Sequence, residues 1–368
     1  MAHTSPNPFN PQFGKRPQQF VGRDAIINDF VQGLNDTNDP NRNTILTGIR
    51  GSGKTAILSD ISALLDDKKT LVVDVTARDG MLLAILDEMR AKGKPWLIDW
   101  ADGFTGFNVG VLGFSLGVSK DGNQDAHGFR YYLTEMLQEL RKKKVATVFL
   151  IDEVHNKTQE MQEFATAYQH VVREGYNVAL LMAGLPSSVH DVLNDRVLTF
   201  LRRAHRVLLE SIDPRIIAAA FEAAFERSDK KASKETLRMA AEATKGYPYL
   251  FQLVGFYLWK AEGDAVKEAD VERALEVAKV ELFRNIHDII YQELSEVDRS
   301  FLFAMAVDED ESGFGEIRER MGVEKGYASK YRQRLLDAGV VRRGAYGKLR
   351  FTPPYMREYL LQRLDDLE

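Results

Sequence analysis

The sequence predicts an α/β fold: a parallel-sheet domain built around a phosphate-binding loop, then an all-helical domain, then a C-terminal winged helix. Three observations predict it. Short β-rich apolar runs alternate with helical patterns up to about Gly184, the signature of βα units around a mostly parallel sheet. From Pro214 to roughly Asn285 the pattern turns wholly helical, with Ala-rich amphipathic stretches. A basic segment follows with three helical patterns and two short strands. A chain of 368 residues is too long for one small core. The expected divisions are a flexible polar arm over 1–17, the sheet domain over 18–213, the helical domain over 214–290 and the winged helix over 291–368.

Composition narrows the function classes. Hydrophobic content of 44% and charged content of 28% describe an ordinary globular protein. The opening "MAHTSPNPFNPQFGKRPQQ" lacks the apolar run of a leader, and no apolar stretch approaches the roughly 20 residues of a membrane span, so no membrane partner is expected. The absence of cysteine removes disulfides, thiolate zinc sites and cysteine nucleophiles, and suits a reducing cytoplasm. The seven histidines lack metal-ligand spacing, and "DEDE" (Asp308 to Glu311) lacks the spaced ligands and glycine of a calcium loop, so it reads as a solvated turn. Net charge is -5, yet Gly313 to Leu360 holds eleven Lys/Arg against five Asp/Glu. One end is built for an anionic neighbour.

The elements follow in order. "TILTG" is a strand that runs into Gly48-Ile49-Arg50-Gly51-Ser52-Gly53-Lys54-Thr55, a match to GxxxxGK[ST] continued by Ala56. Its glycines let successive N–H groups turn toward phosphate oxygens, and the next helix points its positive N-terminal end into the same nest. Lys54 supplies charge for the β- and γ-phosphates of ATP, and Thr55 offers a hydroxyl to Mg2+. Ile57, Ile61, Leu64 and Leu65 keep helical spacing and form a core face. "TLVVDVT" is the second strand. Glycine-rich 101–119 alternates small or polar residues with Phe, Val and Leu, which predicts a β-hairpin insertion. Phe129, Leu133, Met136, Leu137 and Leu140 make another buried helical stripe.

"VATVFLIDEVH" is an apolar strand ending in Asp152-Glu153. A buried strand delivers a carboxylate at its C-terminal edge, where ligands bind in open α/β sheets. Asp152 is the candidate metal carboxylate, and Glu153 the candidate group that orients and polarises the attacking water. His155 fits a capping or packing role. "NVALLMAG" is the fourth strand.

The combination resembles the AAA+ ATPases, in the branch near the origin-recognition initiators and the STAND-type switch ATPases, from about Pro17 to the C-terminus. "FVGRD" (Phe20 to Asp24) is similar to the family's adenine-side box, which implies nucleotide contacts at Val21, Gly22 and Arg23. "TFLRRAHRVLL" resembles the segment that carries an arginine finger, so the resemblance implies that Arg203 first, Arg202 second, is donated across the interface of a homo-oligomer. "KGYPYLFQ" resembles the element where the helical lid meets the nucleotide, implying Tyr247 and Pro248 near the adenine; a helix starting at a proline explains them equally. Two departures weigh against rapid turnover, so a slow switch fits as well as a motor. The fourth strand ends in Ala183-Gly184, where many relatives carry a polar sensor, with Ser187 as a substitute, and the lid element lacks a second sensor arginine.

The last module reads as a winged helix over Ser295 to Tyr359. On its third helix Ala328, Tyr331, Leu335 and Ala338 form the buried stripe, while Ser329 and Gln333, flanked by Lys330 and Arg332, point the opposite way. Such a helix enters a major groove with short polar residues near base edges and basic flanks on phosphates. Gly339 closes it. A hairpin around Gly344 and Gly347 then presents Arg342, Arg343 and Lys348 as a wing. Duplex DNA is the expected partner, because phosphate neutralisation supplies most non-specific affinity. The alternative is a signalling or defence switch whose winged helix binds protein.

Overall fold

The computed structural model describes residues 6–12, 21–66, 69–103, 128–155, 159–195, 198–228 and 230–365. Five parallel strands, β1 (Asn43–Thr47), β2 (Thr70–Thr76), β3 (Ala146–Asp152), β4 (Val178–Gly184) and β5 (His205–Leu208), pair in the order β2-β3-β4-β1-β5. Helices α1 (Asp24–Gly33) and α2 (Lys54–Leu65) cover one face of the sheet; α3 (Met81–Gly103), α4 (Phe129–Lys142) and α5 (Gln159–Arg173) cover the other. Successive strand residues point to opposite faces, so Leu46, Val148 and Leu181 pack on Ile57 and Ile61, while Ile45, Phe149 and Met182 pack on Phe164 and Tyr168. Burial on both faces explains the unbroken apolar run of β4.

The two edges of this sheet are treated differently. At β2 the Glu88 carboxylate accepts from the Asp74 N–H at 2.6 Å, and the Lys92 ammonium donates to the Val72 carbonyl at 3.2 Å. Side chains of α3 thus satisfy the edge backbone. At the other edge β5 stands mostly exposed, with Leu208 at 61%.

Helix α6 (Pro186–Asn194) and a 3-10 turn (Thr199–Arg203) lead to β5, and the all-helical region follows as α7 (Pro214–Glu226), α8 (Lys234–Ala243), α9 (Pro248–Lys260) and α10 (Glu268–Leu282). Two-residue strands β6 (Lys231–Ala232) and β7 (Ala265–Val266) pair between them. A π-helical turn (Phe283–His287) joins α10 to α11 (Asp288–Glu293). The C-terminal module comprises α12 (Glu296–Ala306), β8 (Ser312–Gly313), α13 (Phe314–Met321), α14 (Lys325–Asp337), β9 (Val341–Arg343), β10 (Lys348–Phe351) and α15 (Met356–Asp365), with antiparallel order β8-β10-β9. This is a winged helix with an added terminal helix. One hydrophobic core runs from Phe221, Phe251 and Leu282 through Ile286 to Phe301, Leu335 and Leu360, so helical region and winged helix are packed as one body.

Two sequence expectations change. Residues 101–103 close α3 rather than open a hairpin, because a helix already propagating from Met81 adds residues more cheaply than a new strand pair nucleates; the rest of 101–119 lies outside the described residues. The arm expected to be flexible is docked where it is described. Phe9 is 2% exposed, stands edge-on to Phe251 at 5.4 Å and fills the space left by the missing side chain of Gly255. Asn7 donates to the Phe256 carbonyl at 3.2 Å and the Asn10 N–H donates to Gln252 at 2.9 Å. One aromatic among polar residues is enough to anchor the segment, since burying it recovers more free energy than ordering a few residues costs.

Candidate functional site

The register of the sheet assembles the site. Thr47 pairs with Gly184 and Thr76 with Asp152, so the phosphate loop after β1 and the acids at the end of β3 share the C-terminal edge. The loop's Gly51 and Gly53 carry φ of +71° and +93°, which a side chain would strain. Lys54 donates to the carbonyls of Gly48 at 2.8 Å and Ile49 at 2.9 Å, holding the loop curled. Burial lowers its pKa to about 8, with Arg50 adding to the effect and Asp152 and Glu153 opposing it.

Thr55 and Asp152, assigned to one metal on sequence grounds, touch: the threonine hydroxyl donates to Asp152 Oδ2 at 2.5 Å. The other carboxylate oxygen accepts from the Glu153 N–H at 2.8 Å. Hydroxyl and carboxylate are hard oxygen donors of the kind Mg2+ takes, so this pair fits the ion. Glu153 is exposed and sits at φ +54°, a left-handed conformation that costs a non-glycine residue about 1 kcal/mol. The turn sends Val154 N–H to the Ala183 carbonyl at 2.9 Å and leaves the Glu153 carboxylate facing solvent at the sheet edge.

The remaining expected residues divide into those the structure gathers and those it does not. Arg23 is gathered, and its guanidinium donates to the Glu210 carbonyl at 2.6 Å and more weakly to Ser52. Val21 is buried beside Ile212, and Gly22 packs on the same isoleucine. Arg23 therefore braces the loop and the end of β5, with its charge spent on backbone carbonyls. Tyr247 is also gathered, but through the loop backbone: its buried hydroxyl donates to the Arg50 carbonyl, and Gly51 lies against it. Pro248 is the first residue of α9, as the helix-start reading had it. Ser52 is buried, and its hydroxyl has no partner among the described residues.

The sensor gap has a steric cause. A Cβ on Gly184 would stand 2.8 Å from Val154 Cγ2 and 3.0 Å from the Val154 carbonyl, so no side chain fits there. Ser187 lines a cleft toward the winged helix instead. Arg203 is not gathered. The pairing of Thr44 with His205 puts it before the N-terminal end of the sheet, about 15 Å from the loop by strand rise. It is exposed with no polar partner among the described residues, whereas Arg202 donates to the Leu193 carbonyl at 2.7 Å.

The C-terminal module lies across this site, a feature that the sequence reading did not contain. A cleft of about 690 Å³ is lined by Ile49, Arg50, Ser187 and His190 on the sheet-domain side and by Lys330, Gln333 and Asp337 of α14 on the other. Arg50 pairs with Glu293 at 2.5 Å, and a Cβ at Gly339 would meet Pro186 at 2.7 Å and Ile49 at 3.3 Å. On α14, Ala328 and Leu335 are fully buried, while Tyr331 and Ala338 are half-buried. Ser329 is half-buried, Lys330 and Gln333 are exposed, and Gln333 donates to Asp337 at 2.8 Å. Arg332, expected on phosphates, instead stacks on the Phe314 ring at 4.4 Å, because its side of α14 faces the start of α13. Several basic residues are already paired: Arg320 with Asp308, Arg334 with Asp298, and Arg350 with Asp310 and Glu311. Arg342, Arg343 and Lys348 are exposed and have no ion pair among the described residues.

Residues 37–193 match the family model of the AAA domain. This region is a P-loop domain of the AAA family. Residues 284–360 match a second family, a domain of unknown function. No curated protein matches the chain. Among solved structures, the chain is similar to the Walker-type ATPase Paby2304 of Pyrococcus abyssi, at 16% identity and TM-score 0.64 over 94% of this chain and 97% of that one. It is also similar to Cdc6p of Pyrobaculum aerophilum, at 13% identity and TM-score 0.49 over 97% of both chains. The Orc1 protein of Aeropyrum pernix in complex with DNA gives 16% identity and TM-score 0.45 over 97% of both chains. The likeness to the first of these covers the helical region and the winged helix as well, so that fold is shared along nearly the whole chain. Among the described residues no helix is long and apolar enough to cross a membrane.

Proposed function

We propose that the chain is an ATP-hydrolysing switch whose nucleotide state controls access of its winged helix to duplex DNA. The observation that carries this reading is the seam between the C-terminal body and the AAA domain: the polar face of α14 and the phosphate loop line one cleft, and Arg50 pairs across it with Glu293 at the end of α11. A cleft of about 690 Å³ holds no duplex, whose major groove alone is about 12 Å wide. Reading DNA with Lys330 and Gln333 therefore requires the helical region and winged helix to turn together away from the loop. Nucleotide engages that seam directly. Triphosphate drawn by Lys54 and the loop N–H groups competes for Arg50, and loop movement is felt at Tyr247.

Mg2+ held through Thr55 and Asp152 would neutralise charge on the transferring phosphoryl group. Glu153 orients the attacking water from the sheet edge. The missing polar sensor at Gly184 supports slow turnover. Arg203, remote from its own loop and without a polar partner among the described residues, serves a second copy in this scheme.

Anisotropy titrations of a labelled duplex at low salt test the switch, with Mg-ATP, Mg-ADP or no nucleotide. The expected result is a several-fold dependence of affinity on nucleotide, lost in Lys54→Ala. Binding that ignores the nucleotide, or no binding, overturns it. In the same preparation Glu153→Gln should retain Mg-ATP and lose turnover by about a hundredfold or more.

A further inference from the structure

We propose that Tyr346, at the tip of the wing, is a stacking wedge that inserts at an unstacked base step of duplex DNA; the proposal rests on the DNA reading above. The wing turns through Ala345–Gly347 between β9 and β10, with Tyr346 at φ +46°, ψ +45° and Gly347 at φ +79°. Two consecutive positive φ values are the demand of a tight hairpin turn, and Asn-Gly or Gly-Gly meets it without strain. Tyrosine does not: a bulky side chain in this region is a steric outlier. Nor does burial offset the strain, because Tyr346 is fully exposed, at 106%. Both local choices run against the stability of the free chain, so the ring serves a contact outside it.

The surroundings say what that contact is. The two strands that carry the tip hold Arg342, Arg343 and Lys348, exposed and without ion pairs among the described residues, so the ring is flanked by charges suited to phosphates. The tip is braced from behind. Glu311 accepts from the Ala345 N–H at 3.3 Å and from Arg350, which also pairs with Asp310 at 3.0 Å. The acidic turn that reads as merely solvated is in part this brace. Tyr346 also lies outside the cleft against the phosphate loop, so it is available while α14 faces that loop. An aromatic ring on a braced turn, with exposed cations on the strands that carry it and nothing of its own chain to pack on, fits a base face: stacking needs a flat ring, tolerates any base and favours steps that open easily.

The test uses the full chain and two duplexes of the same sequence, one fully paired and one with a central mismatch carrying 2-aminopurine. The parent should prefer the mismatched duplex by about fivefold or more, with a change in 2-aminopurine emission. Tyr346→Ala should abolish the preference and the emission change while leaving affinity for the paired duplex and its salt slope near parental. Tyr346→Trp should keep both. Charge reversal at Arg342 and Arg343 should weaken both duplexes alike. If Tyr346→Ala keeps the parental preference, the wedge is wrong and the DNA reading stands. If the parent binds neither duplex under any nucleotide condition, both fall. Because the ring packs on nothing, the alanine variant should unfold at no lower a urea midpoint than the parent, which separates lost contact from lost fold.

Discussion

At the scale of single residues, the site is a set of groups held in costly states. Glu153 keeps a left-handed backbone, and Lys54 keeps an ammonium largely out of water, its pKa lowered to about 8. The sign of the second effect can be worked out. Below pH 8 the side chain is already charged and meets a triphosphate as it is; above pH 8 it must first take up a proton, because the anion raises its pKa again. Affinity for Mg-ATP should therefore be flat at and below neutrality, then fall with rising pH by up to about tenfold per unit above 8. Calorimetry near pH 9 in two buffers of different ionisation enthalpy should report uptake approaching one proton. Lys54→Met should bind more weakly and take up none from this source. Equal heats in the two buffers for the parent would show that Lys54 is not the titrating ligand group.

At the scale of elements, the sequence reading succeeds where one residue pattern has one packing solution. The first four strands and the helices after Lys54 and from Phe129 have the expected apolar residues in the core, apart from Leu64, which is 44% exposed. It misses β5 because "HRVL" is short, charged and mostly exposed, so neither alternation nor an apolar run marks it; only pairing with β1 makes it a strand. It misses the docked arm for a related reason: Phe9 and Phe13 are the aromatics of the arm, and two rings in a polar, proline-rich stretch set no period. The docking is measurable. Phe9→Ala should destabilise the chain by about 3–5 kcal/mol in denaturant unfolding, the usual loss for a buried phenylalanine, since Phe221, Phe251 and Trp259 would line the cavity. A loss under about 0.5 kcal/mol would mean that the arm is not seated in solution.

At the scale of the whole molecule, one body made of the helical region and winged helix closes over the AAA domain, and the contact between Arg50 and Glu293 is part of the closure. Both side chains are partly exposed, so solvent screening keeps the pair weak, within the range of about 0–1 kcal/mol. Glu293→Lys should therefore raise nucleotide-free affinity for duplex modestly, by up to about fivefold, and enlarge the radius of gyration in small-angle scattering. Reversing Arg50 as well, Arg50→Glu with Glu293→Lys, should restore part of the closed behaviour. If the single reversal leaves both scattering and duplex binding at parental values, this ion pair does not hold the closed form.

The sequence by itself determined the chemistry-bearing local pieces: a glycine loop ending in Lys54-Thr55, an acid pair closing an apolar strand, and a basic helix and wing near the C-terminus. Each is written in consecutive residues whose types answer a nearby physical demand. What only the tertiary structure decided is how those pieces face one another. Strand register brought Thr55 to Asp152, the crowding of Val154 at Gly184 shut out a sensor side chain, and the body after Pro214 folded back to lay α14 along the phosphate loop. Those are contacts between residues far apart in the chain, set by how cores fill, and no run of neighbouring residues encodes them.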